Sequence, residues 1–169
     1  MNEKISAGKG FVMALILTIL LVVFSIITSA FKLTEIWAGY MFFWFFSSVR
    51  AFDRSKLLPD VINSLIGIGL GFLMFLCMKH YGTAIFELVV IITMLVILFF
   101  LVTKLIPYVV GDATFLFFTI LTANIFLTGG NYVDIAVCYV CGVIFFSLTL
   151  TGLFALLSRK KESTEAKTE

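Results

Sequence analysis

Apolar residues run through this chain in blocks rather than stripes. Six blocks stand out, at residues 10–30, 36–49, 61–78, 83–103, 105–127 and 133–158, and the short stretches between them hold most of the charge. Within 88–102 every helical face is apolar, so neither the alternation of a half-buried strand nor the one-sided stripe of a surface helix is present. Bilayer-spanning helices have this pattern. About 20 apolar residues cover a hydrocarbon core of ~30 Å, and a helix satisfies its own backbone polar groups there. A membrane barrel would alternate apolar and polar residues in short strands. The expected fold is all-α membrane, with six transmembrane helices over 10–158, a cytoplasmic amino terminus over 1–9 and a disordered cytoplasmic tail over 159–169.

Composition sharpens this picture. Of the 169 residues, 62% are hydrophobic and 13% charged, against roughly half and a quarter in water-soluble domains; mean hydropathy is +1.15. The first block follows Lys4 and Lys9, is longer than a signal-peptide core and has no convincing cleavage site, so it reads as a retained anchor. Loop charge sets the orientation. With the amino terminus inside, cytoplasmic segments hold Lys4, Lys9, Arg50, Arg54, Lys56, Lys104, Arg159, Lys160, Lys161 and Lys167, leaving Lys32 and Lys79 outside. The implied location is the inner (plasma) membrane, multi-pass, with both termini cytoplasmic.

The chain also resembles itself. A displacement of 72 positions aligns Lys32-Leu33 with Lys104-Leu105, Gly39 with Gly111, Phe43 with Phe115 and Phe45-Phe46 with Phe117-Phe118. At 71, Asn63, Gly67, Gly71 and Phe75 fall on Asp134, Cys138, Gly142 and Phe146, a ladder at four-residue spacing on one helix face. Small residues at that spacing let backbones approach closely, which assigns Gly67, Gly71, Cys138 and Gly142 to helix packing. Each copy, about 10–78 and 83–158, has three spans. An odd number turns the second copy over, giving two inverted three-helix repeats with the site expected between them, near short or Gly/Pro-interrupted spans. Both copies show such spans. Block 36–49 has 14 residues, a helix of only ~21 Å, and its counterpart carries Pro107 and Gly111, expected to kink it.

Asp112 follows directly. Read as a carboxylate inside an apolar helix two turns beyond Lys104, it is functional by default, with pairing to a neighbouring helix as the structural alternative. Gly111, Gly39, Thr114, Trp44 and Phe117 are expected beside it as substrate-binding or pore residues, Trp44 with Phe117 and Phe118 forming an aromatic constriction or simply packing. Asn63 and Asp134 read as caps at helix starts. Other chemistries lack their residues. Cys138 and Cys141 form a C-x-x-C with no second pair, His80 is the sole histidine, and no Ser-His-Asp set, Walker loop or H-E-x-x-H occurs, so no metal, cofactor or enzyme activity is expected. A net charge of +2 spread over loops excludes a nucleic-acid partner.

The stretch Ile36-Trp37-Ala38-Gly39-Tyr40, the aromatics through Phe46, and Asn63, Gly67 and Gly71 resemble a family of small bacterial inner-membrane proteins catalogued as domain of unknown function 1097. Ile106-Pro107, Gly111, Ala113-Thr114-Phe115, Gly129-Gly130 and Gly142 extend the resemblance over roughly 10–158. It implies a polytopic inner-membrane protein and brings no substrate; the charged segment 50–56 departs from the Gly-rich turn that the family has there. The expected function is a small transporter or channel for a small solute, its path between the repeats, in a homo-oligomer held in the lipid bilayer by small-residue faces. The alternative is a non-transporting membrane subunit that binds a partner protein through 50–56 or the tail.

Overall fold

The computed structural model describes residues 7–165, with the backbone alone described at 7, 9, 10, 13, 124–128 and 153–165. The elements are α1 (Ala7–Ala30), α2 (Trp37–Trp44), α3 (Leu57–Tyr81), α4 (Thr83–Thr103), α5 (Asp112–Thr128) and α6 (Tyr132–Glu165), with no strand among the described residues. Three stretches, 54–81, 83–103 and 132–152, are long and apolar enough to cross a membrane, and Ala14–Ala30 and Asp112–Ala123 are shorter apolar helices. Of these three stretches, the most apolar is the least buried. Only 11% of α4 is inside, and Leu88, Ile91, Leu95, Phe99 and Val102 are all more than half exposed. In water an apolar surface of this extent marks an interaction face.

Four expectations are corrected. Helix α3 starts at Leu57, four residues before the apolar block, because Pro59 is tolerated in a first turn and Asp60 suits the positive end of the helix. Asn63 therefore lies inside the helix and caps nothing. Block 105–127 is not one kinked helix: 104–111 is non-helical, Lys104 closes α4 in the left-handed region at φ 51°, and α5 begins only at Asp112. Proline removes the N–H and disfavours helix in the residue before it, so Pro107 sits in a turn closed by Val109 and Val110 N–H groups on the Ile106 carbonyl. The tail expected to be disordered from Arg159 continues as helix to Glu165; 166–169 and 1–6 lie outside the described residues. At the start of α6, Asn131 rather than Asp134 supplies the capping oxygen, accepting from Asp134 N–H at 3.3 Å.

The chain divides into two compact units, 44–137 and a second made of 1–43 with 138–169. In the first, α3 runs parallel to α5 in close contact. A Cβ on Gly67 would lie 2.7 Å from the Thr114 carbonyl oxygen and 3.0 Å from Phe117 Cβ, and one on Gly71 would lie 2.7 Å from Leu121 Cβ. A single residue joins α3 to α4: Gly82, at φ +81°, a value side-chain-bearing residues rarely adopt. In the second unit, Gly142 of α6 sits so close to Gly39 of α2 that an added Cβ would be 2.5 Å from the Gly39 Cα. Buried Phe24 of α1 stacks on Phe146 at 5.0 Å and on Tyr40 at 5.8 Å, and Phe43 meets Phe146 at 4.8 Å.

These contacts rank the glycines. Gly67→Ala and Gly142→Ala meet backbone that cannot yield, so each is expected to destabilise by about 1–3 kcal/mol. Gly69→Ala, with nothing within 4 Å of its Cβ, should leave the melting temperature in detergent unchanged or slightly higher, as Ala favours helix. Equal losses at all three positions would contradict the packing.

Candidate functional site

The start of α3, the end of α4 and the start of α5 converge on a cavity of about 330 Å³. Its wall carries Arg50, Lys56, Asp60, Asn63, Lys104 and Asp112, with Pro107 and Gly111 between. Each charged group comes from a short local cause. After α2 the chain widens into a π turn over Phe45–Val49, closed by Arg50 N–H on the Phe45 carbonyl at 3.2 Å. Ala51 and Phe52 then adopt positive φ, 47° and 63°, conformations that cost an L-residue roughly 1–2 kcal/mol each. This strained turn aims Arg50 back at α3. The following 3-10 turn, Arg54–Lys56, is capped by Asp53, whose carboxylate accepts from the Ser55 hydroxyl at 2.7 Å and the Ser55 N–H at 2.9 Å. Those two bonds hold Asp53 below the usual carboxylate range.

Arg50 is the hub. Its Nε donates to Asp60 Oδ2 and its Nη2 to Asp60 Oδ1, both at 2.8 Å, and Nη2 also meets Asp112 Oδ2 at 3.1 Å. The guanidinium lies 5.1 Å from the centre of the Phe45 ring. The hydrogen bond to Asp60 outweighs desolvation and, with the charges of both carboxylates, raises the guanidinium above its ordinary value, so Arg50 is cationic at any working pH. The two aspartates differ in kind. Asp60 is 3% exposed, whereas the Asp112 side chain is 55% exposed. Asp112 is thus neither inside a helix nor alone: it opens α5, where a carboxylate is favoured by the dipole.

A second, uncharged network lies beneath. Asn63 Nδ2 donates to the Pro107 carbonyl at 3.2 Å, Thr114 Oγ1 donates to the Asn63 carbonyl at 2.9 Å, and Gly111 N–H donates to Thr114 Oγ1 at 3.3 Å. These bonds tie loop 104–111 to α3. A side chain at 111 would strike Asn63, since a Cβ there lies 2.5 Å from Nδ2. Asn63 Oδ1 is buried with no hydrogen-bond partner.

Of the residues the sequence singles out for a pore, Asp112 and Gly111 line this cavity, and Thr114 is buried just behind it. Phe117 is fully buried against Gly67, within the α3–α5 contact. Trp44 is 48% exposed, and Gly39 is enclosed by Phe24 and Gly142 in the other unit. Arg50 and Asp60 carry the site and were not singled out. Their signal was an acidic residue in the first turn of a helix ten residues after an arginine, readable only once α3 is known to start at Leu57. No family model, no curated protein and no solved structure matches this chain.

The pair predicts unequal costs for the two ends of the network. Arg50→Ala strands a buried carboxylate and is expected to cost about 3 kcal/mol, while Asp112→Ala removes an exposed partner worth at most about 1 kcal/mol. Thermal unfolding of both variants checks the order, which reverses if Asp112 is the principal anchor.

Proposed function

We propose that this chain is an integral membrane protein of six spans, built as two inverted repeats, that passes a small solute through a vestibule formed by the cavity at Arg50, Asp60 and Asp112. One observation carries this reading: a charged cavity lies at the meeting of helices whose outer faces are apolar. Charged groups at such a place are costly to keep and mark solute or ion paths by default. The exposed apolar face of α4 has its natural solvent in lipid.

The repeat reading gains support from local geometry. Lys32 and Lys104, equivalent at a displacement of 72, both close a helix in the left-handed region, at φ 57° and 51°. The second and third helices of one copy pair with the third and second of the other: α3 with α5 in one unit, α2 with α6 in the other, each parallel, though not in the same register. The cavity wall draws 50–63 from the first copy and 100–112 from the second, which supports a path between the copies. Arg50, Arg54, Lys56 and Lys104 all lie at the cavity end of their unit, against Lys79 at the far end of α3, and this asymmetry supports a cytoplasmic cavity. The resemblance to the inner-membrane family noted above agrees with a polytopic protein, and the glycine faces suit association of copies into a homo-oligomer.

Two experiments test the proposal. In proteoliposomes the purified chain should conduct at least one of glycerol, acetate and phosphate. Arg50→Lys, which keeps the charge and loses the fork that Asp60 grips, should cut that flux by about tenfold, the equivalent of 1.4 kcal/mol. No flux of any kind, with a partner protein recovered stoichiometrically from native membranes, would point instead to a membrane subunit. For the inverted topology, Lys32→Cys should react with an impermeant maleimide from outside intact cells, and Lys104→Cys only after the membrane is opened. Labelling of both from one side would remove the repeat.

A further inference from the structure

The cavity holds three cations, Arg50, Lys56 and Lys104, against two carboxylates. Neither lysine makes an ion pair among the described residues. Arg50 itself has donors to spare. Asp60 takes Nε and one N–H of Nη2, Asp112 Oδ2 lies 3.1 Å from Nη2 as an ion pair, and Nη1 donates to nothing among the described residues. The two anchors are also unequal: Asp60 is buried and bidentate, while Asp112 is exposed, monodentate and longer, at 3.1 Å. A guanidinium fixed on one edge and free or weakly held on the other is preorganised for a planar or tetrahedral oxyanion.

We propose that this cavity binds a small oxyanion, a carboxylate or a phosphate group, on the Nη1–Nη2 edge of Arg50, with Asp112 as the displaceable occupant of that edge and Lys104 adding charge. The inference rests on the reading of the cavity as the solute vestibule and names the chemistry of what enters it. Asp60 keeps the guanidinium in place during the exchange, so the anion gains two charge-assisted hydrogen bonds with little reordering of the protein. Asp112 swings away into water, at small cost for an exposed carboxylate. The incoming group restores the charge balance that Asp112 leaves.

This arrangement makes the two variants move in opposite directions. With purified full-length protein in phosphatidylcholine nanodiscs, acetate and inorganic phosphate should bind, and glycerol and choline should not. Asp112→Asn removes the internal competitor and should tighten acetate and phosphate by about tenfold. Lys104→Asn, at an exposed position where Asn tolerates the left-handed backbone, should weaken both several-fold, and a melting curve of each variant confirms its fold. A purely structural network predicts no change in either. Discs enriched in phosphatidylglycerol distinguish the sources: competition with free phosphate identifies a lipid headgroup as the oxyanion, and indifference identifies a dissolved solute, the site standing in both cases. Equal affinity of wild type and both variants, or a preference for choline, overturns the proposal. Glycerol flux without oxyanion binding would keep the transport reading and sink this one; oxyanion binding without any flux would do the reverse.

Discussion

Everything at the charged end of unit 44–137 depends on how closely α3 approaches α5. Gly67 and Gly71 present no side chain, so the α5 backbone comes down onto α3 at Thr114 and Phe118, and the Leu121 side chain rests on Gly71. That distance brings Thr114 Oγ1 within reach of the Asn63 carbonyl and the Pro107 carbonyl within reach of Asn63 Nδ2. Because the helices are parallel, their first residues finish side by side, and Asp60 and Asp112 share one arginine. In the proposed lipid setting, apolar burial would give helices no reason to associate, so contact geometry and interhelical hydrogen bonds would have to do so. Here the glycines set the geometry and Asn63 and Thr114 supply the bonds.

The arginine then fixes the loop that carries it. Burying Asp60 without a partner would be expensive, and a bidentate guanidinium is the partner that best matches a carboxylate. Reaching it requires the π turn after Trp44 and two residues at positive φ, Ala51 and Phe52. Such strain is retained only where surrounding contacts over-determine it. The Asp60 bonds, the Phe45 ring and the Phe46–Phe52 edge-on contact at 5.8 Å are those contacts. Local propensity would not choose this turn; the charge pair does.

That balance explains what could be read from the residues alone. Helix α4 was legible to the residue, since its apolar run begins at Thr83 and ends at Thr103 with no competing signal. The ladder Gly67–Gly71 was legible because close approach needs small residues at that spacing. The loop before α5 was not: 105–110 is apolar enough to pass for helix, and hydropathy does not register that Pro107 and the tie to Asn63 unwind it. Asp112 followed this error into the middle of a span. Arg50 and Asp60 were hidden for a different reason, since a charged loop reads as solvated until the fold shows which of its charges turns inward. Thr114 lay near the site by sequence and takes its place through a hydroxyl bond that no periodicity encodes.

The proposed repeat and the charge cluster together bear on direction. Under the same displacements, Arg50 falls on Thr122, Asp60 on Asn131 and Asp112 on Tyr40, so the small-residue ladder recurs along the chain and these three charges do not. In the proposed repeat, packing residues are constrained equally in both copies because both must bring helices together. Charged residues are not: the set at the cavity, drawn from both proposed copies, has no ionic counterpart to Arg50, Asp60 or Asp112, which would give the proposed scaffold two unlike ends. An oxyanion arriving at the charged end would meet a fixed guanidinium, and at the positions equivalent to Arg50, Asp60 and Asp112 it would meet only hydroxyls and an amide. Within the proposed membrane setting, selection by charge therefore belongs to one face, the face where Lys56 and Lys104 also stand.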